Sequence, residues 1–113
     1  MKLSAKETEH ITIIQVEGNV MGGPDASALN EALHKLTEKK KKKIVLDLSG
    51  VKKMNSSGLG MLIGALTSVK NAGGVLKIAA ASKKIESLLV ITKLSTIFDL
   101  HPTVKHALES FGK

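Results

Sequence analysis

The sequence predicts an α/β fold: a mixed, mostly parallel β-sheet with about four helices packed on it, opened by an antiparallel pair of strands. Two observations carry this. Short β-rich apolar runs alternate with segments of helical periodicity, the order being β-β-α-β-α-β-α-β-α, and strands separated by helices of that length join by right-handed crossovers into a parallel sheet. The first two strand-like segments have no helix between them, so they pair as an edge hairpin.

Taken in order, Lys2 to Thr8 is a weakly apolar edge segment. His10 to Glu17 alternates cleanly, with Ile11, Ile13 and Val16 bracketing polar positions. Gly18 to Pro24 holds three glycines and a proline and reads as a loop. Pro24 suits a first helical position and Asp25 a first turn. Leu29, Ala32, Leu33 and Leu36 then keep the spacing of an amphipathic helix. Lys39 to Lys43 closes that helix, where cations complement the negative end of its dipole.

Ile44 to Leu48 is a short apolar run of the kind found at the centre of a sheet. Ser49 to Ser57 is expected to be a polar connection. Leu59, Leu62, Ile63, Leu66 and Val69 mark a second helix, stopped by Gly73-Gly74. Val75 to Ala80 reads as a strand. Ser82 is a good N-cap for a helix carrying Ile85, Leu88, Leu89 and Thr92. Ile97 to Leu100 is expected as a short strand. After the Pro102 break, Val104, Ala107, Leu108 and Phe111 give a fourth amphipathic helix.

Composition limits what such a fold does. A chain of 113 residues is expected to form a single domain over 1–113. No apolar run approaches the roughly 18 residues of a membrane span. Cysteine is absent, which excludes disulfide scaffolds and thiol chemistry. Met1 to Thr12 has no apolar stretch like a signal peptide's, so a soluble, cytoplasmic protein is expected. The net charge of +7 invites a nucleic-acid reading, but all 17 basic residues are Lys. Arginine, the usual bidentate reader of guanine and phosphate, is missing. With two Phe and no Trp or Tyr there is no stacking platform either. Direct nucleic-acid and membrane binding are therefore not expected.

No catalytic constellation emerges. His10, His34, His101 and His106 match no zinc spacing and read as surface residues. Gly58 and Gly60 start a dinucleotide-like pattern, but its third glycine falls at Ile63, and no Gly-Lys-Ser/Thr follows. Ser57 is not in a Gly-x-Ser-x-Gly context. Neither an enzyme nor a cofactor is expected.

One segment remains, Asp47-Leu48-Ser49-Gly50-Val51-Lys52-Lys53-Met54-Asn55-Ser56-Ser57-Gly58-Leu59-Gly60. A buried strand leads into two serines at a helix start. One of Asn55, Ser56 and Ser57 caps the helix, and the glycines allow close packing on the sheet. A hydroxyl there is also a favourable place for a phosphate, because free N–H groups and the positive dipole end stabilise added negative charge.

This segment resembles the signature of STAS domains, specifically bacterial anti-sigma factor antagonists. The similarity extends to the strand pair ending in Gly18, the Gly73-Gly74 pair before a Val-Leu-x-Ile strand, the Ser82-led helix and the Leu94 to Phe98 stretch. The resemblance implies a switch without catalysis. In that family the unmodified antagonist binds an anti-sigma factor that is also a serine kinase of the histidine-kinase-like ATPase type, and so frees the sigma factor. Phosphorylation releases it, and a PP2C-type phosphatase restores it. The matching phospho-acceptor is Ser56. The implied partner-binding surface is Met54, Asn55, Ser56, Ser57, Gly58 and Leu59, with Met21 and Gly22 from the loop before the first helix. Asn55 stands where the family pattern has Asp. Two other readings compete: a STAS domain binding a small ligand or nucleotide near Gly22-Gly23, and a phosphorylation-independent adaptor for another partner.

Overall fold

The computed structural model describes residues 1–111, so the last two positions of the expected 1–113 domain lie outside the described residues. Along the chain run β1 (Lys2–Thr8), β2 (Ile11–Val20), α1 (Pro24–Glu38), β3 (Lys43–Met54), α2 (Ser56–Asn71), β4 (Val75–Ala79), α3 (Lys83–Ile91), a 3-10 turn (Leu94–Thr96), β5 (Leu100–His101) and α4 (Val104–Phe111). The five strands form one sheet in the order β1-β2-β3-β4-β5. The β1–β2 pair is antiparallel, and the other pairings are parallel. The expected mixed, mostly parallel sheet with an N-terminal hairpin is the one observed.

Alternation along the strands sorts the core into two layers. Ile14, Val16, Ile44, Leu46, Leu76 and Ile78 face one way, into a large core completed by α1, α2 and α3. Ile11, Ile13, Val45 and Ala79 face the other way and are covered by α4 through Ala107, Val104 and Leu108. No described helix is long and apolar enough to cross a membrane.

Five expectations are corrected. β2 does not end at Glu17 but runs on through Gly18 to Val20, and β3 continues past Leu48 to Met54. The two extensions pair with each other, Val20 opposite Met54, across register shifts after Gln15 and after Gly18. Beyond Asp47 the β4 partner is finished, so this stretch of β3 pairs on one side only and needs no continuous apolar run. Residues 97–100 are not the fifth strand. Ile97 and Phe98 donate back to Leu94 O and close the 3-10 turn, which leaves Leu100 and His101 to pair with Ile78 and Ala79. His10 sits in the hairpin turn rather than in a strand; Glu9 and His10 both have positive φ, 49° and 68°, the backbone that a two-residue hairpin turn demands. His101, unlike the exposed His10, is not a surface residue: it is part-buried, with Nε2 2.9 Å from Asp99 Oδ1. Ser82 does cap α3, accepting from Ile85 N at 3.2 Å.

Candidate functional site at the start of α2

The extended β2 and β3 strands finish side by side and deliver their last residues, Val20 and Met54, to the same edge of the sheet. Asn55 then turns the chain. It keeps an extended backbone (φ −106°, ψ −176°), and its Oδ1 accepts from Gly58 N at 2.8 Å. Asn55 N donates to Val20 O at 3.4 Å, and Asn55 O accepts the first helical bond from Leu59 N at 3.0 Å. Of the three capping candidates, Asn55 is the cap. Ser56 and Ser57 therefore occupy the first two helical positions, where backbone N–H groups have no acceptor inside the helix.

Two glycines set how closely these pieces approach. A Cβ at Gly58 would overlap the Val20 carbonyl oxygen and press Met54 Cγ at 2.9 Å, so α2 begins directly on the end of β2. At Gly22 (φ +83°) a Cβ would lie 2.6 Å from Ser57 Cβ, so the loop before α1 lies against the first turn of α2. Gly60 differs from the expectation of close packing, because nothing lies within 4 Å of the Cβ it lacks. Asp25 holds the loop from behind, its Oδ2 accepting from Met21 N at 3.3 Å.

The sequence-derived site residues are thus brought together, but at two depths. Met21, Asn55, Ser56 and Ser57 are exposed and Met54 is half-buried; Gly22, Gly58 and Leu59 are buried beneath them. The first group can touch another molecule. The second shapes the platform. Lys53 is exposed beside Met54. Among the described residues no group of His, Asp or Glu is arranged to hold a metal ion. The face offers a hydroxyl, free amides and a sulfur-rich apolar rim, which suits recognition and modification of the hydroxyl.

Sequence reasoning missed α3 as part of this neighbourhood. A groove of about 590 Å³ beside the helix start is lined by Met21 and Met54 together with Lys84, Leu88 and Ile91 of α3. The signal was present: Leu88 to Ile91 is one apolar residue after another, more than one buried helix face can hold. A second groove, of about 740 Å³, is lined by Asn30, His34, Ser68 and Asn71, near the far ends of α1 and α2. At 1.5 Å per residue it is roughly 18 Å along α2 from Ser56.

Known proteins share this fold. A family model described as STAS domain matches residues 2–107. A Thermotoga neapolitana protein, named as an anti-sigma factor antagonist homologue, is 36% identical over 67 residues; the match takes in 59% of this chain and only 59% of that relative's length. The anti-sigma-B factor antagonist of Listeria monocytogenes is 30% identical over 100 residues, 88% of this chain and 86% of its own. In fold, the crystal structure of an anti-sigma factor antagonist-type protein from Thermotoga maritima is similar with a TM-score of 0.87 at 23% identity, covering 98% of this chain and 95% of that one. With the family pattern matched from Lys2 to Ala107, nearly the whole chain, the chain belongs to the STAS domain family.

Proposed function

We propose that this chain is an anti-sigma factor antagonist in a partner-switching pathway that controls transcription. Unphosphorylated, it binds an anti-sigma factor with serine kinase activity and so frees the sigma factor. Phosphorylation of Ser56 abolishes that binding, and a PP2C-type phosphatase reverses it. The contact face is Met21, Met54, Asn55, Ser56 and Ser57, held in shape by Gly22, Gly58 and Leu59. The domain itself turns over no substrate.

The observation that carries the reading is the division of labour at the helix start. Asn55 satisfies the cap, so the exposed Ser56 hydroxyl has no structural duty there. A phosphate on Ser56 would add about −1.5 to −2 charges at the positive end of α2, which the fold tolerates and a docked partner would not. The names of the Thermotoga and Listeria relatives support the same role.

The test is phosphorylation in vitro by small ATPase-type serine kinases from the source organism, with peptide mass spectrometry and titration calorimetry. Ser56→Asp is expected to fold normally and to bind the anti-sigma partner at least roughly tenfold more weakly, a loss of about 1.4 kcal/mol. Ser56→Ala should bind and resist phosphorylation, Ser57→Ala should still accept phosphate, and Asn55→Asp should speed the reaction. Phosphate on Ser57 would move the site. Equal affinity of Ser56→Asp and wild type would remove the switch.

A further inference from the structure

The groove beside Ser56 is built from two walls. β3 and the loop after β2 supply Lys53, Met54 and Met21, and α3 supplies Lys84, Leu88 and Ile91. Its apolar surface is in water: Met21 is 42% exposed and Ile91 78%. The core does not need Ile91, because α3 already buries Ile85 and Leu89. Large aliphatic side chains gathered at an open groove mark a contact surface. Its charge has one sign. A lysine stands on each wall, no carboxylate is among the lining residues, and neither lysine is in an ion pair among the described residues.

We infer that this groove docks an acidic amphipathic helix of the partner protein, its apolar face on Met21, Met54, Leu88 and Ile91 and its carboxylates towards Lys53 and Lys84. An apolar floor between two cationic rims is the character of a helix-in-groove site. Charge complementarity selects the occupant: a basic or neutral helix would leave both lysines facing like charge or nothing. The inference rests on the proposed switch for its consequence. Met21 and Met54 belong both to the groove and to the Ser56 face, so a phosphate on Ser56 would meet the edge of an incoming acidic segment and repel it.

Two model 14-residue helical peptides serve as probes, one with Leu on one face and Glu elsewhere, the other with Lys in place of Glu; decanoate is the third. Each is titrated into the ¹⁵N-labelled full chain at low and at moderate salt, with amide shifts as the readout. The acidic peptide should bind at least about tenfold more tightly than the basic one, lose affinity as salt rises, and shift the amides of Met21, Met54 and Lys84 to Ile91. K53E/K84E should invert the preference. Ile91→Asp, exposed and expected to melt like wild type, should weaken both peptides. Equal binding of the two peptides, shifts confined to Lys39–Lys43, or binding of decanoate alone would overturn the inference. The assay involves no kinase, so its failure and the switch's are separable. Peptide selectivity beside an inert Ser56→Asp keeps the groove and removes the switch, and a working switch without selectivity removes only the groove.

Discussion

Two glycines two residues apart in α2 should respond to the same substitution with opposite sign. Gly58→Ala and Gly60→Ala each add one methyl group and each replace a poor helix former with the best one, a gain of about 1 kcal/mol in a helix interior. At Gly60 that gain is unopposed, since nothing lies within 4 Å of the new Cβ. At Gly58 the Cβ would overlap the Val20 carbonyl oxygen, and Met54 Cγ would be 2.9 Å away. The methionine can swing aside, but Val20 belongs to β2 and its oxygen accepts from Asn55 N. The start of α2 must therefore move off the sheet. Overpacking of this kind costs about 1–3 kcal/mol, and the immovable backbone acceptor argues for the upper end. After the propensity gain, Gly58→Ala should lose about 2 kcal/mol and Gly60→Ala should gain about 0.5–1 kcal/mol. For a chain of this size 1 kcal/mol moves the melting temperature by about 4 °C, so the two variants should melt roughly 10 °C apart. Thermal melts followed at 222 nm, with urea titrations beside them, measure this directly. A Gly58→Ala protein as stable as wild type, or two shifts of the same sign, would refute the close approach of α2 to β2.

Four further outcomes follow from the same structure. Leu62→Ala should lose about 2–5 kcal/mol in urea melts, whereas Ile63→Ala should lose visibly less, because Leu62 is buried and Ile63 only half-buried. Lys41→Ala breaks an exposed 2.8 Å pair with Glu7 and should change stability by less than about 0.5 kcal/mol. Asn55→Ala removes the cap and should cost about 1 kcal/mol, with Asn55→Asp or Asn55→Ser restoring most of it. Near β5, burial raises the Asp99 carboxyl, but the Lys77 hydrogen bond and the charges of His101 and Lys77 outweigh it and hold it below its ordinary 3.8. A carboxylate depressed in the folded state contributes stability that is full above its unfolded pKa and is lost as pH falls through the folded one. Wild type should therefore lose stability as pH falls below about 3.8, and Asp99→Asn should show a shallower loss over that range by urea titration.

Most of the architecture was legible from local pattern, because each helix carries its own apolar stripe and each stop its own punctuation. Pro24, the Gly73-Gly74 pair and the Ser82 cap act through backbone geometry and near-neighbour hydrogen bonds, which adjacent residues determine alone. Ser56 and its neighbours were legible as a helix start for the same reason. The later halves of β2 and β3 were not. Those strands exist because each is the other's partner, and pairing between residues more than thirty positions apart leaves no trace in the period of either segment. The short β5 is of the same kind, preceded by a 3-10 turn that Leu94, packed against the core, and the buried Phe98 just after it hold in place.

Within the site, the chemistry was carried by the chain and the geometry by the fold. Residue types alone made Asn55, Ser56 and Ser57 equal candidates for the cap; only the tertiary structure chose Asn55 and left Ser56 free. Two glycines that look alike in the sequence part company in the same way, Gly58 pressed on a carbonyl and Gly60 facing open space. The groove that joins Met21 and Met54 to Ile91 spans 71 positions of sequence. Periodicity reports which side of its own helix a residue occupies. Which neighbour that side meets is decided when β2, β3 and α3 come together, since burial and clearance are properties of the assembled core and of no single segment.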